Sequence, residues 1–209
     1  MPIYCDESGG IGRGVMTLAA LSITAEAANN IVLRFREVTG LTSELKGSRI
    51  DLAERALLFE FLEPVDWNAT VGIAISALKP QPGEDRGDHD IAIYSGLLDD
   101  VIESMVGNNA TGCNDVIIDD GRYGVETLKL VRNSVGRLVG PLGTASLAVS
   151  HVYSGLQLAD VIANSFFNRA MVTERQARLA AIVAPFLESG KIKMRLLSGD
   201  TQRYDQGSE

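Results

Sequence analysis

Ile3-Tyr4-Cys5-Asp6-Glu7-Ser8-Gly9-Gly10 is a short apolar run that stops in two carboxylates and a glycine pair. Val116-Ile117-Ile118-Asp119-Asp120-Gly121 repeats that ending in the middle of the chain. Each reads as a buried strand whose carboxylates sit at its end, the edge of the sheet where α/β folds bind ligands. Acids also commonly end strands for local reasons, but two matching endings in one chain favour a shared site.

Outward from the first ending, Gly10, Gly12 and Gly14 look like a nucleotide loop. A dinucleotide fingerprint needs glycines at its first, third and sixth places and a helix to follow. Val15 fills the last place, and the apolar run MTLAALSIT follows, so the reading is a hairpin turn. Ala27, Ala28, Ile31, Val32, Phe35 and Val38 recur at helical spacing, and Gly40 ends that helix. After the loop TSELKGS, Ser48 is expected to cap a second helix, with Asp51 three residues on. That helix carries Ala53, Ala56, Leu57 and Phe61 and stops before Pro64. Trp67 to Ala77 reads as a strand, KPQPGEDRGDHD as a loop that includes His89, and Tyr94 to Met105 as the stripe of a third helix.

Beyond VIIDDG, a helix is expected from Val125 to Val139 on Leu128, Val131, Val135 and Leu138. SLAVSHVY reads as a strand containing His151, SGLQLADVIANSFFNRA as a helix, and a sixth helix begins near Thr173 and kinks at Pro185. KIKMRLL reads as a final edge strand. Strands alternating with helices predict one layered α/β domain over residues 1–197, with a mixed central sheet, and a polar tail over 198–209.

The 209 residues are 45% apolar and 22% charged, enough for one domain with a core. Cys5 and Cys113 form no CxxC, which excludes a cysteine zinc site and fits a reducing, cytoplasmic setting. No apolar run is long enough for a bilayer, and no basic-then-apolar leader opens the chain, so no membrane is expected. A net charge of −8 weighs against a protein that coats DNA. It leaves room for a nucleic-acid enzyme, because bound divalent cations neutralise metal-site carboxylates.

A third acid, Asp160, lies in a helix apolar nearly all round, where a carboxylate must be paired, protonated or metal-bound. Gln157, Asp160 and Asn164 share one of its faces. The alternative for Asp160 is an ion pair with Arg169 or another arginine. Glu44 and Lys46 alone would read as a solvated pair. Arg122, Lys129 and Arg132 are candidates for phosphate contacts, against the alternative of a solvated face. Dispersed carboxylates without cysteines are hard oxygen ligands, which favour Mg²⁺ or Mn²⁺ over zinc. No GxSxG is present, and Ser8 replaces the later aspartate of the Asp-x-Asp phosphatase pattern, so serine-triad and aspartyl-phosphate chemistry find little support.

YCDESG, ELKGS, VIIDDG and S-x-x-QLAD-x-IA, in this order from Tyr4 to about Ala170, resemble a bacterial and phage-associated family. It is the domain-of-unknown-function family thirty-eight hundred, of the ribonuclease H-like superfamily. The resemblance implies a ribonuclease H-like fold and an acidic set of Asp6, Glu44, Asp119 and Asp160 holding two divalent ions. It promotes Glu44 to that set, with Lys46 as phosphate or water partner and Glu7, Ser8 and Asp120 in support. The implied function is a metal-dependent phosphodiesterase on nucleic acid, in a defence or mobile-element setting. The alternative is a catalytically silent nucleic-acid-binding or assembly module of the same fold, with a protein partner or a second copy of the chain. Glu44 departs from the superfamily habit, because its position reads as loop rather than helix.

Overall fold

The order of strands along the sheet brings the two acidic strand endings side by side. The computed structural model describes residues 1–75, 85–107 and 115–197. Its strands are β1 (Ile3–Gly10), β2 (Val15–Ile23), β3 (Trp67–Ile75), β4 (Asp115–Asp119), β5 (Thr144–Ala148) and β6 (Ile192–Leu196). Its α-helices are α1 (Ala25–Thr39), α2 (Leu52–Leu62), α3 (Arg86–Gly107), α4 (Val125–Val139), α5 (Ser154–Ala170) and α6 (Gln176–Glu188). The strands form one sheet in the order β5-β4-β1-β2-β3-β6. β2 pairs antiparallel with β1 and β3, and every other pairing is parallel.

Strand alternation splits the core into two layers. Tyr4, Ala19, Leu21 and Val71 pack on one face under α1, α2, α5 and α6. Ile3, Cys5, Leu18 and Val116 pack on the other under α3 and α4. All nine β2 residues are buried, as expected of a strand covered on both faces. α5 lies against β1 and β2 with twelve buried residues, including Gln157 and Asn164. Among the described residues no helix is long and apolar enough to cross a membrane.

The termini of the elements follow local chemistry. Thr24 Oγ1 accepts the Ala27 N–H at 3.2 Å to start α1. Gly40 closes it in the left-handed region, φ 72°, where a side chain would be strained. α2 begins later than expected. Its cap is Asp51, not Ser48, in a reciprocal pair with Glu54, each side chain accepting the other's N–H at 2.8 Å. Glu54 at the third helical position completes this box, which a cap at Ser48 would lack. The α2 core face also differs, with Arg55, Leu58, Phe59, Phe61 and Leu62 buried and Ala53 exposed. Val38, expected in the α1 stripe, is exposed. His89 is a buried helical residue of α3, which starts inside the expected loop, and His151 lies in a turn after β5 ends at Ala148. Residues 79–84 of that loop, Cys113 and the 198–209 tail lie outside the described residues.

Candidate active site

β1 and β4 run parallel with Tyr4 beside Ile117 and Cys5 beside Ile118. One residue further, that register sets Asp6 beside Asp119 at the ends of both buried strands. Both side chains are nearly sealed from water, at 4% and 8% exposure. Asp160 approaches from α5 on the same face, and its charge reaches Asp6. The three aspartates thus come from three elements distant in sequence.

The carboxylates are only partly satisfied. Asp6 Oδ1 accepts the Glu7 N–H at 2.7 Å, and Asp119 Oδ2 accepts the Gly121 N–H at 3.1 Å. Asp6 Oδ2, Asp119 Oδ1 and Glu7 Oε2 are buried and have no hydrogen-bond partner among the described residues. Burial, then the Glu7, Asp160 and Asp119 carboxylates, push the Asp6 pKa well above the carboxylate range. Burial also raises Asp160, opposed by the Gly47 N–H, Lys46 and Arg55. Buried oxygens with no donor, on acids that repel one another, are what a bound cation would satisfy.

The ELKGS loop is bolted to α5 by the polar stripe Gln157, Asp160 and Asn164. Gln157 Oε1 accepts the Leu45 N–H at 3.2 Å, and Asp160 Oδ2 accepts the Gly47 N–H at 2.6 Å. Asn164 Oδ1 accepts Arg55 Nη2 at 3.0 Å, and the same Nη2 reaches Gly47 O at 2.5 Å. Arg55 Nη1 also donates to Ser165 Oγ at 2.6 Å and Val161 O at 3.2 Å. Position 47 admits only glycine at this separation, since a Cβ there would lie 2.6 Å from Asn164 Cβ. The loop carries Lys46, whose Nζ donates to Ser150 Oγ at 2.9 Å and stands 3.2 Å from Glu44 Oε1. Burial would lower the Lys46 pKa, but Asp6, Asp160 and Glu44 outweigh it and raise it. Asp160 is therefore tied to a backbone N–H and faced by cations at longer range. Arg169 turns instead to Met194 Sδ and the Phe166 ring.

Glu44 sits in a loop, as its sequence position indicates, and its bonds run to Ser150 and Lys46. Burial would raise its pKa, but those two partners lower it. Its link to the aspartates passes through Lys46. Among the described residues, no three acids, histidines or cysteines are grouped so as to hold a metal ion. The expected four-carboxylate set is therefore not gathered: Asp6, Asp119 and Asp160 act on one another through their charges, and Glu44 is bonded to Ser150 and Lys46.

The supporting residues divide by sheet face. Ser8 Oγ accepts Asn164 Nδ2 at 3.0 Å on the aspartate side. Glu7 points to the other face, 3.6 Å from Arg122 Nη1. Burial pushes its pKa up to about 7, against the pull of Arg122. Asp120 is half-exposed, with its N–H on Ala148 O at 3.1 Å. Arg122 was expected at a phosphate, but its guanidinium is engaged within the protein. It donates to Gly9 O at 3.0 Å, Asp90 Oδ2 at 2.9 Å and Tyr123 Oη at 2.8 Å. Lys129 pairs with Glu126, and Arg132 reaches Asn133, both on the exposed surface of α4.

Arg55 and Ser150 are site residues that sequence reasoning missed. Arg55 had a readable signal, because it stands at helical spacing from Leu58, Phe59 and Leu62. A charged residue on an apolar stripe needs a buried partner. Ser150 follows a strand in a turn, and no pattern marks it.

No family model matches the chain, and no curated protein matches it. Among solved structures it is similar to a chain of the PCNA:RNase HII complex from Archaeoglobus fulgidus, at TM-score 0.52 and 12% identity. The match covers 92% of this chain and 89% of that chain. At this identity the likeness speaks for the fold alone. The chain has a ribonuclease H-like α/β fold, a mixed six-stranded sheet flanked by helices.

Proposed function

We propose that the chain is a metal-dependent phosphodiesterase acting on nucleic acid. One observation carries this reading: at the ends of two parallel strands, Asp6 and Asp119 each keep a buried carboxylate oxygen with no partner among the described residues, and the charge of the α5 carboxylate Asp160 acts on both. The donor set suits a hard divalent cation, Mg²⁺ or Mn²⁺. Asp6 and Asp119 would share the ions, two in number, with Asp160 and Glu44 as outer ligands. Bound there, the ions would activate a water and stabilise the leaving oxygen of a phosphodiester. Lys46, held protonated by the aspartates, positions a phosphate oxygen or the attacking water. Asp160 keeps the Gly47 N–H and so fixes the loop that carries Lys46. The resemblance to the domain-of-unknown-function family thirty-eight hundred supports the same roles.

A silent module of the same fold is the second reading. It is favoured by the lack of a ready three-ligand grouping among the described residues. Labelled single-stranded, duplex and hybrid oligonucleotides, incubated with Mn²⁺, Mg²⁺ or EDTA, separate the two. Cleavage in Mn²⁺ that is lost in EDTA and in Asp6→Asn supports the enzyme. Binding with no cleavage under any metal supports the module.

A further inference from the structure

On the far side of the ELKGS loop from the aspartates lies a recess of about 150 Å³. Arg13 from the β1–β2 turn, Arg55 from α2 and Arg175, which precedes α6, line it with Ser48 and Asn168. Three arginines from three elements line this recess in a chain of net charge −8. Both Arg55 Nη groups are spent on the protein, so Arg55 supplies charge rather than free donors. Burial lowers the Arg55 pKa to about 10; Asp160 draws it up, and Arg175 pushes it down again. Arg13, Arg175 and Ser48 are exposed, and among the described residues none has a side-chain hydrogen bond or ion pair. The acid in the wall, Asp51, is turned to its own helix, accepting the Glu54 N–H.

We propose that this recess is a phosphate subsite, which takes one backbone phosphate of a nucleic-acid strand whose neighbouring phosphate lies at the aspartates. The identity of the strand rests on the nuclease reading above. Guanidiniums present forked donors that match phosphate oxygens, and an alcohol adds a third direction. The two sites share one peptide wall, since the Gly47 N–H faces Asp160 while Gly47 O faces Arg55. Asn164 and Asn168 follow Asp160 by one and two turns of α5, so the recess lies about 6–12 Å along that helix. A nucleotide backbone bridges such a span in one or two steps.

The test is fluorescence anisotropy of a labelled oligonucleotide in EDTA, where the aspartates hold no metal. The Arg13→Ala/Arg175→Ala double variant changes only exposed side chains. Its affinity should fall about tenfold, and the salt slope should shrink by about one to two. An Arg137→Ala/Lys193→Ala control, which removes the same charge elsewhere, should bind as wild type does. Binding unchanged in the Arg13/Arg175 variant overturns the subsite and leaves the nuclease reading standing. A second arm melts both proteins with and without inorganic phosphate. If no oligonucleotide binds, yet phosphate stabilises wild type and not the variant, the phosphate site stands and the nucleic-acid reading falls. If neither ligand acts, the subsite is overturned.

Discussion

At the residue scale, the site turns on which carboxylates face the same space. Continuing the β1–β4 register pairs Asp119 with Asp6, while Asp120 falls out of the ladder. Asp119→Asn should therefore abolish metal-dependent cleavage, and Asp120→Asn should lower it mildly; equal and severe losses in a turnover assay would refute the assignment. Asp160 has a second test, in stability. Its carboxylate is repelled by Asp119 and accepts the Gly47 N–H, a bond that an asparagine oxygen can keep. Metal-free Asp160→Asn should melt at or above wild type, and with Mn²⁺ it should melt below. If Asp160 were instead the partner of a buried arginine, the substitution would cost about 3–5 kcal/mol with or without metal. Melting curves of both proteins, with and without Mn²⁺, decide the matter.

At the scale of elements, the ELKGS loop is ordered by α5 rather than by its own pattern. Leu45 and Gly47 give their N–H groups to Gln157 and Asp160, and Arg55 clamps Gly47 O. Gly47→Ala forces the loop off α5, because the added Cβ meets Asn164 Cβ at 2.6 Å. The expected cost is about 1–3 kcal/mol. For a chain of this size that lowers the melting midpoint by roughly 2–4 °C per kcal/mol. The same variant should weaken activity, since Lys46 moves with the loop. Unchanged melting would show that the loop is free of α5.

At the scale of the molecule, the buried acids make metal-free stability depend on pH. The folded state raises the pKa values of Asp6 and Asp160 and brings Glu7 to about 7. A raised carboxyl costs nothing while protonated in both states. It costs stability once the unfolded chain ionises and the folded one resists. The metal-free midpoint should thus fall as pH rises from the ordinary carboxylate range through about 7. Glu44, whose pKa is lowered, acts oppositely and only in more acid solution. Divalent ions bind the ionised carboxylates of the folded state, so they should restore stability most at the alkaline end. At a hundredfold excess over Kd the gain is about 2.7 kcal/mol. Thermal melts from pH 5 to 8, in EDTA and in Mn²⁺, check both the slope and its loss. A midpoint that rises with pH in EDTA would overturn this picture.

The sequence alone determined the element order, because periodicity and punctuation are local. Gly40 ended α1, Val125–Val139 was legible to the residue, and the apolar helix around Asp160 announced its own burial. The matching endings IYCDESG and VIIDDG marked Asp6 and Asp119 as candidates, since a carboxylate after a buried strand has few places to go. Tertiary structure decided the rest. The side-by-side register of β1 and β4 is a long-range pairing that no local pattern encodes. The Asp51 cap is the exception, since its reciprocal bond to Glu54 is a local pattern that the sequence carries and the expectation at Ser48 passed over. Arg122 became a clamp on Asp90 and Gly9 because folding set α3 beside the β1–β2 turn. Arg55, ordinary in composition, became the link between the loop and α5 because burial gave its donors four partners at once. A sequence marks which residues want burial or charge; only packing sets which ones meet.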